Sequence, residues 1–285
     1  MAGTVYGVLA GYDGSPCSEE ALSWAAREAR TRGVTLTVCH AWAPPAPLPP
    51  TAGAAFRLAR HGGEEVVARG LRHARALAGP SADVRSLLAE TSAAAALCER
   101  SAAAAVVVVG SRGRGGLAGL LLGSVSSQVV AHARGRVVVV RGHWRSAAGY
   151  RPGPIVVGAE GSTVSEPAVE FAFEEAALRD APLLAVCALA DAPGSFGGAR
   201  RIEADFEQAM NRWEKEYPEV AVLRKTVSGP PRAALLAASA EAQLLVVGSR
   251  GRGGVKGMML GSVSQAMAHH APCPVGVVHP PARVR

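Results

Sequence analysis

Two glycine-rich segments with identical spacing carry the strongest chemical signal in the sequence. Each has the pattern G-x2-G-x9-G-S, formed by Gly110, Gly113 and Gly123-Ser124 and again by Gly248, Gly251 and Gly261-Ser262. Glycines let the main chain approach an anion closely, and the N–H groups that begin a helix favour phosphate. The arginines within each segment add positive charge. The pattern predicts a phosphate-binding loop in each half; the alternatives are a flexible surface loop and an RGG-type nucleic-acid-binding segment.

A carboxylate follows the first apolar run of each half. Asp13 stands in GYDGS, where it could accept a hydrogen bond from an adenine amino group or a ribose hydroxyl, or instead close an Asx turn. Glu160 takes its place in GAEGS. The added methylene should shift the second carboxylate by about 1 Å, since a C–C bond is about 1.5 Å long. We therefore expect a tighter purine site in the first half and a weaker or empty one in the second.

The repeated segments belong to a duplication that spans the whole chain. Residues 108–126 match residues 246–264 at 15 of 19 positions, at an offset of 138. The starts of the halves, residues 11–29 and 158–176, align at an offset of 147. This period is far longer than that of a solenoid repeat. It predicts two tandem domains, 1–146 and 150–285, joined through the Gly/Pro-punctuated segment 143–154.

Strands and helices must alternate within each half to place these motifs. In the first half, apolar runs predict strands, and the segments between them have helical spacing. The first helix is predicted to start at Ser15-Pro16, with Ser18 as its cap. The predicted strands are Val5–Ala10, Val34–Ala41, Val84–Ala89, Ala105–Val109 and Val137–Arg141, and the later helices are Glu64–Leu77, Ala93–Ala104 and Val125–His132. The second half repeats this order, with a helix predicted at Phe206–Glu216.

This alternation predicts an α/β fold of two tandem Rossmann-like, doubly wound domains. Each would contain a five-stranded parallel sheet with helices on both faces. Ligands of such sheets bind beyond the carboxyl ends of the strands, where the strand order reverses. Both the GYDGS turn and the glycine-rich loop follow such ends.

Composition narrows the functional classes. The 285 residues are 49% hydrophobic and 19% charged, with a mean hydropathy of +0.17, which excludes global disorder. The formal charge of +7 permits nucleotide or nucleic-acid partners. Five cysteines without a CxxC pair indicate neither a disulfide framework nor a zinc site. The sequence has no long apolar run, so we expect a cytoplasmic protein with no membrane partner.

Familiar catalytic patterns are missing from the sequence. It contains no Walker A motif, no GxGxxG and no GxSxG elbow. His40 ends the predicted second strand, but Cys187 replaces it in the second half, so a chemistry shared by both halves cannot need it. We find neither paired carboxylates nor a nucleophile–base pair, and predict no catalytic residue.

The motifs and the order of elements resemble the universal stress protein family, in its tandem two-domain, ATP-binding form. The resemblance covers almost the whole chain twice. It implies a stress-response or regulatory protein that binds ATP, with Mg²⁺ held by the phosphates and little or no turnover. It also implies pairing through the last strand of each domain, either between two chains or inside one chain as a pseudo-dimer.

The resemblance further implies which residues surround the adenine nucleotide. In the first half these are Gly11, Tyr12, Asp13, Ala41, Val109, Gly110, Arg112, Gly113, Gly123, Ser124, Val125 and Ser126. In the second half they are Gly158, Ala159, Glu160, Ala188, Gly248, Arg250, Gly251, Gly261, Ser262, Val263 and Ser264. A slow ATPase or nucleotidyl-transferring enzyme is the alternative function. A nucleic-acid-binding module is the second alternative, disfavoured because no aromatic residue lies within either loop.

Overall fold

The computed structural model describes residues 5–42, 53–115, 121–141, 153–189, 196–252 and 260–280. The chain divides into two compact units, residues 1–142 and 143–285. The predicted domain limits 146 and 150 fall within residues 142–152, outside the described residues.

The first unit is a parallel five-stranded sheet with helices on both faces, as predicted. Its strands are β1 (Val8–Gly11), β2 (Leu36–Trp42), β3 (Val84–Glu90), β4 (Val106–Gly110) and β5 (Arg136–Val140). Its helices are α1 (Pro16–Arg32), α2 (Gly53–Ala78), α3 (Ala93–Arg100) and α4 (Ser124–His132), with a short 3₁₀ turn at Ser101–Ala103.

The strand order in the first unit is β3-β2-β1-β4-β5, so the direction of winding reverses between β1 and β4. Helices α1 and α2 pack together, and α3 packs against α4. Strands β1 and β4 pair with Val8 opposite Val106 and Ala10 opposite Val108. Gly11 and Gly110 therefore end neighbouring strands at the same edge of the sheet, which is the switch point where doubly wound sheets bind ligands.

Local sequence explains both the central strand and the helix that follows β1. Val106–Val109 are at most 3% exposed, because helices cover both faces of the sheet, and this accounts for an uninterrupted apolar run. Helix α1 begins with Pro16 in its first turn, and the Ser15 hydroxyl accepts the Ser18 N–H at 3.2 Å. The predicted cap was therefore wrong by one turn: Ser15 caps the helix, and Ser18 is the donor.

The second unit has the same architecture. Its strands are β6 (Ile155–Gly158), β7 (Leu183–Leu189), β8 (Val222–Ser228), β9 (Leu244–Gly248) and β10 (Val275–Val278). Its helices are α5 (Glu166–Arg179), α6 (Phe196–Glu216), α7 (Pro231–Ala238) and α8 (Ser262–His270), with a 3₁₀ turn at Ser239–Glu241. The strand order is β8-β7-β6-β9-β10, so the switch point lies between β6 and β9.

Helix α2 is longer than the sequence predicts, beginning at Gly53 instead of Glu64. The glycines at 62 and 63 indicate a helix break, because glycine disfavours helix interiors. In the structure Gly63 is buried, and a Cβ there would lie 3.2 Å from Leu88 and 3.3 Å from Trp42. Glycine is therefore used inside this helix for close packing on β2 and β3.

All five cysteines carry free thiols. Within the described ranges, no helix combines the length and the apolarity needed to cross a lipid bilayer.

Candidate functional site

A cavity of about 480 Å³ opens at the switch point of the first unit. Its volume lies within the range of small-molecule sites. All twelve residues predicted for this half line it, namely Gly11, Tyr12, Asp13, Ala41, Val109, Gly110, Arg112, Gly113, Gly123, Ser124, Val125 and Ser126. The structure thus brings together segments that are more than a hundred residues apart in the sequence.

Seven further residues line this cavity without having been predicted. They are Ser18, Cys39, His40, Ala93, Leu97, Arg114 and Gly115. Ala93 and Leu97 come from α3, whose Ala-rich sequence shows only packing periodicity. Arg114 was expected to add positive charge to the loop but was not assigned as a nucleotide contact, although it repeats as Arg252 in the second glycine-rich segment.

Two glycines of the first cavity are placed where a side chain would collide with main chain or core. A Cβ at Gly110 would lie 2.6 Å from the carbonyl oxygen of Cys17, and one at Gly11 would lie 3.0 Å from Leu97. The far end of the loop is held by Gly123, whose N–H donates to the Ser111 carbonyl at 2.7 Å. The middle of the loop, residues 116–120, lies outside the described residues. Main-chain atoms of these glycines therefore form part of the cavity wall.

The two serines that begin α4 have different hydrogen-bonding capacities. The Ser126 hydroxyl lies 3.1 Å from the Ser111 carbonyl and 3.0 Å from the Gly123 carbonyl, so its proton is engaged. It retains only lone pairs, which suit a ribose hydroxyl better than a phosphate oxygen. Ser124 is exposed at the first position of the helix, where first-turn N–H groups have no intrahelical acceptor. Ser124 is therefore better suited to phosphate.

Asp13 ties the first strand to the glycine-rich loop. Its Oδ1 accepts the Ser15 N–H at 2.9 Å, and its Oδ2 accepts the Arg114 N–H at 2.9 Å. Burial raises the pKa of this carboxyl, but these hydrogen bonds lower the pKa by more, so the net value lies below the usual one. The ionised carboxylate can only accept hydrogen bonds. The Asx turn expected as an alternative is present, and the lone pairs that remain suit a donor on a ligand.

His40 lies at the end of β2 and lines the first cavity. Its Nδ1 is 2.8 Å from the Tyr12 carbonyl oxygen, which can only accept, so Nδ1 carries a proton. Burial is the main cause that lowers the pKa of the imidazole, with smaller lowering effects from Arg114 and Arg69. The neutral ring therefore has an unprotonated Nε2, which is a hydrogen-bond acceptor.

A cavity of the same volume, about 480 Å³, opens at the switch point of the second unit. All eleven predicted residues line it: Gly158, Ala159, Glu160, Ala188, Gly248, Arg250, Gly251, Gly261, Ser262, Val263 and Ser264. Further lining residues that were not predicted are Ser165, Val186, Pro231, Leu235, Val247, Arg252 and Leu260. Residues 253–259 of this loop lie outside the described residues.

The loop of the second cavity is held in the same way as the first. Gly261 N–H donates to the Ser249 carbonyl at 2.8 Å, and the Ser264 hydroxyl lies 3.1 Å from that carbonyl. Glu160 Oε1 accepts the Arg252 N–H at 2.6 Å, which matches the bond from Arg114 to Asp13. The longer Glu160 side chain therefore preserves the contact between carboxylate and loop.

The surroundings of the carboxylate differ between the two units. Glu160 Oε1 also accepts the Ser162 hydroxyl at 2.9 Å, where Asp13 accepts a main-chain N–H. The Arg252 guanidinium donates to Asp205 Oδ2 at 2.7 Å and to the Glu160 carbonyl at 3.1 Å. Arg114 has no such ion pair among the described residues.

Neither cavity has a preformed metal site within the part of the chain that the structure describes. No group of three or more His, Cys, Asp or Glu side chains lies close enough there to hold an ion.

Comparison with known proteins identifies the family. The sequence profile of the universal stress protein family matches residues 7–141 and 153–279. The chain is 40% identical over 286 residues to universal stress protein Rv2005c of Mycobacterium tuberculosis, covering 95% of this chain and 96% of the relative. It is 36% identical over 285 residues to universal stress protein Rv2623 of the same species, covering 94% and 95%.

A solved structure has the same fold over nearly the full chain. The crystal structure of a universal stress protein from Archaeoglobus fulgidus matches with a TM-score of 0.72 at 20% identity, covering 96% of this chain and 98% of that one.

Proposed function

The chain belongs to the universal stress protein family, as a member with two tandem domains. From this premise we propose that each domain binds an adenine nucleotide, with ATP as a ligand. The nucleotide acts as a bound regulatory ligand that undergoes little or no turnover, and it occupies the cavity at the switch point of each sheet. One observation carries this proposal: in both domains, a glycine cradle and a helix N-terminus face the same cavity as an ionised or ionisable carboxylate.

The cradle and the helix form the phosphate end of each site. Gly110 lets the end of β4 approach the Cys17 main chain closely, and the glycines of the loop that follows allow phosphate oxygens to approach backbone N–H groups. The first turns of α4 and α8 add N–H groups and the positive end of a helix dipole. Arg112 and Arg250 line the same cavities and add positive charge.

Other groups that line each site suit a nucleoside. In the first domain Asp13 takes a donor, either a ribose hydroxyl or the adenine amino group, since an ionised carboxylate cannot donate to a carbonyl. Ser126 takes a ribose hydroxyl through its remaining lone pairs. Ala41 and Ala188, which end β2 and β7, leave room for a flat base.

Magnesium enters with the phosphates in this proposal. Mg²⁺ binds commonly through substrate phosphates and water, and needs few protein carboxylates.

Two measurements test the proposal. Nucleotide released from the purified, denatured protein is identified by mass spectrometry, and calorimetric titration with Mg·ATP is then performed on protein stripped of nucleotide. We expect adenine nucleotide in the first experiment and saturable binding in the second. The Gly113→Val, Gly251→Val double variant should lose binding, because bulk at either glycine meets the neighbouring carboxylate.

Gly62→Val is the control for this test. Gly62 is exposed on α2 and lines neither cavity, and nothing lies within 4 Å of its Cβ position, so this variant should retain binding. No binding of any adenine nucleotide by the wild type refutes the proposal. Undiminished binding by the double variant refutes the assignment to these loops.

A further inference from the structure

The two cavities share a backbone cradle but differ in charge at one wall. This wall is the helix that faces the Gly-Ser turn after the first strand of each domain. A methyl group on Gly14 would overlap the guanidinium of Arg69 on α2, and one on Gly161 would overlap the main chain of Asp205 on α6. Arg69 therefore reaches its turn with the guanidinium, whereas Asp205 reaches its turn with the main chain, and the two residues carry opposite charges beside the cavities.

The first cavity has uncompensated positive charge. Arg112 and Arg114 line it, and Arg69 lies against Gly14 beside Asp13. None of these three guanidinium groups has an ion-pair partner among the described residues. Both Arg69 and Arg114 act electrostatically on His40 at the end of β2, which places their charge near that part of the cavity wall as well.

Among the residues that the structure describes, the second cavity has less uncompensated positive charge. The Arg252 guanidinium is held by Asp205 and by the Glu160 carbonyl, so one of its two lining arginines is already neutralised. Arg250 is left without an ion-pair partner among the described residues. Burial, followed by the negative charges of Glu160 and Glu203, raises the pKa of the Cys187 thiol to about 11 at the end of β7. The second domain therefore has acidic side chains near Cys187, whereas the first has Arg69 and Arg114 near His40.

We propose that the two sites are specialised by ligand charge: the first takes an adenosine di- or triphosphate, whereas the second takes an adenosine monophosphate with comparable or better affinity. This inference rests on the proposed nucleotide binding. The first phosphate meets the same glycine cradle and helix N-terminus in both domains. The second and third phosphates are expected to bind differently at the two sites. In the first domain Arg69 and Arg114 have no ion-pair partner among the described residues, whereas in the second domain Arg252 is already paired with Asp205.

The expected difference in affinity between the sites follows from simple electrostatics. A pair of unit charges about 8 Å apart in water-like surroundings changes an affinity by roughly twofold. Two extra free guanidinium groups acting on two extra phosphate charges make four such pairs, and salt screening reduces their sum to roughly tenfold. The ratio of the dissociation constants for AMP and ATP should therefore be about tenfold larger at the first site than at the second.

Calorimetric titration with ATP, ADP and AMP tests this on the full chain. Gly251→Val isolates the first site, and Gly113→Val isolates the second. Asp205→Asn, which frees Arg252, should raise the preference of the second site for ATP about threefold, and Arg69→Gln should lower that of the first site by a similar factor. Arg75→Gln and Glu216→Gln are matched charge controls further along the same helices and should leave both ratios unchanged.

The outcomes separate this inference from the proposal beneath it. Equal AMP-to-ATP ratios at the two sites, unmoved by Asp205→Asn and Arg69→Gln, overturn the charge specialisation and leave nucleotide binding intact. Absence of binding by every nucleotide overturns both. A shift produced equally by the control substitutions also overturns it, since the effect would then come from net charge and not from the site wall.

Discussion

Replacing Gly113 by alanine should disturb the first site more than Gly251→Ala disturbs the second. A Cβ at Gly113 would lie 2.6 Å from Asp13 Oδ2, which is shorter than real Cβ contacts allow. At Gly251 the nearest atoms are Glu160 Oε1 at 3.1 Å and Oε2 at 3.3 Å. Neither glycine has a positive φ, so the difference comes from space and not from backbone strain.

The two carboxylates also differ in their freedom to move aside. Asp13 is short and is held at both oxygens, by Ser15 N–H and by Arg114 N–H. A new methyl group must displace Oδ2 and break the second of these bonds. A hydrogen bond to a charged group contributes about 1.5–3 kcal/mol, and the lower end applies to a half-buried carboxylate. Glu160 has one more rotatable bond and needs to shift by only a few tenths of an ångström.

The assay is thermal unfolding of the ligand-free protein together with ATP titration. A loss of about 1.5 kcal/mol should lower the Tm of the first domain by roughly 5 °C, and weaken its ATP binding about tenfold. Gly251→Ala should change the Tm by less than about 2 °C. For the Tm of the ligand-free protein, Gly115→Ala controls for the general effect of replacing a loop glycine, because no protein atom lies within 4 Å of its Cβ position. Equal losses in both variants, or a larger loss for Gly251→Ala, would refute this reasoning.

Two further predictions concern the carboxylates and His40. Asp13→Ala should weaken ATP binding at the first site by roughly 10- to 150-fold, and Glu160→Ala should weaken binding at the second site by a similar factor, because each carboxylate accepts a loop N–H and lines its cavity. Titrations that respond to neither change would show that these carboxylates do not govern nucleotide binding. The NMR titration of His40 should have its midpoint below 6.5, because burial opposes protonation and outweighs the raising effects of the Tyr12 hydrogen bond and of Asp13, while Arg114 and Arg69 lower the pKa further. The pKa of His40 is lower in the folded state than in the unfolded state, so the free energy of unfolding should decrease as the pH falls through about 6.5 toward that midpoint. His40→Gln should remove this part of the pH dependence of Tm. An identical dependence in the variant would contradict the prediction.

The sheet and the phosphate loops were predictable because their signals are local and occur twice. A parallel strand buried on both faces is a continuous apolar run, and Val106–Val109 shows this clearly. The spacing of the glycines fixed the ends of each loop, and the alternation of elements placed both motifs at the switch point. The predicted lining residues therefore came from strand ends and from the loops between strands and helices.

The parts of the site that the helices supply were not predictable in this way. Leu97 reaches the cavity from α3, and Arg69 reaches its edge from α2, but each looks like an ordinary helical residue in the sequence. Their counterparts are also hard to align, because the offset between the halves changes along the chain. It is 147 at the first turn and 138 at the loop, whereas the pair Arg69 and Asp205 differs by 136. The difference in charge therefore becomes visible only when both helices are seen against the same glycine turn.

A second difference between the domains also involves a strand end and the helix that packs on it: the large side chain lies on the strand end in the first domain and on the helix in the second. Tyr12 is 3% exposed and packs on Gly70, where a Cβ would lie 2.6 Å from its ring. In the second domain the strand end carries Ala159, and the helix position equivalent to Gly70 carries the fully buried Phe206. Each substitution alone would leave a cavity or a clash, since protein interiors tolerate neither. Taken together they keep the helix on the sheet and the glycine cradle in place, while the wall beside the cradle is free to change its chemistry. The duplication has thus preserved the backbone that faces a phosphate, and it has let the side chains around that backbone diverge.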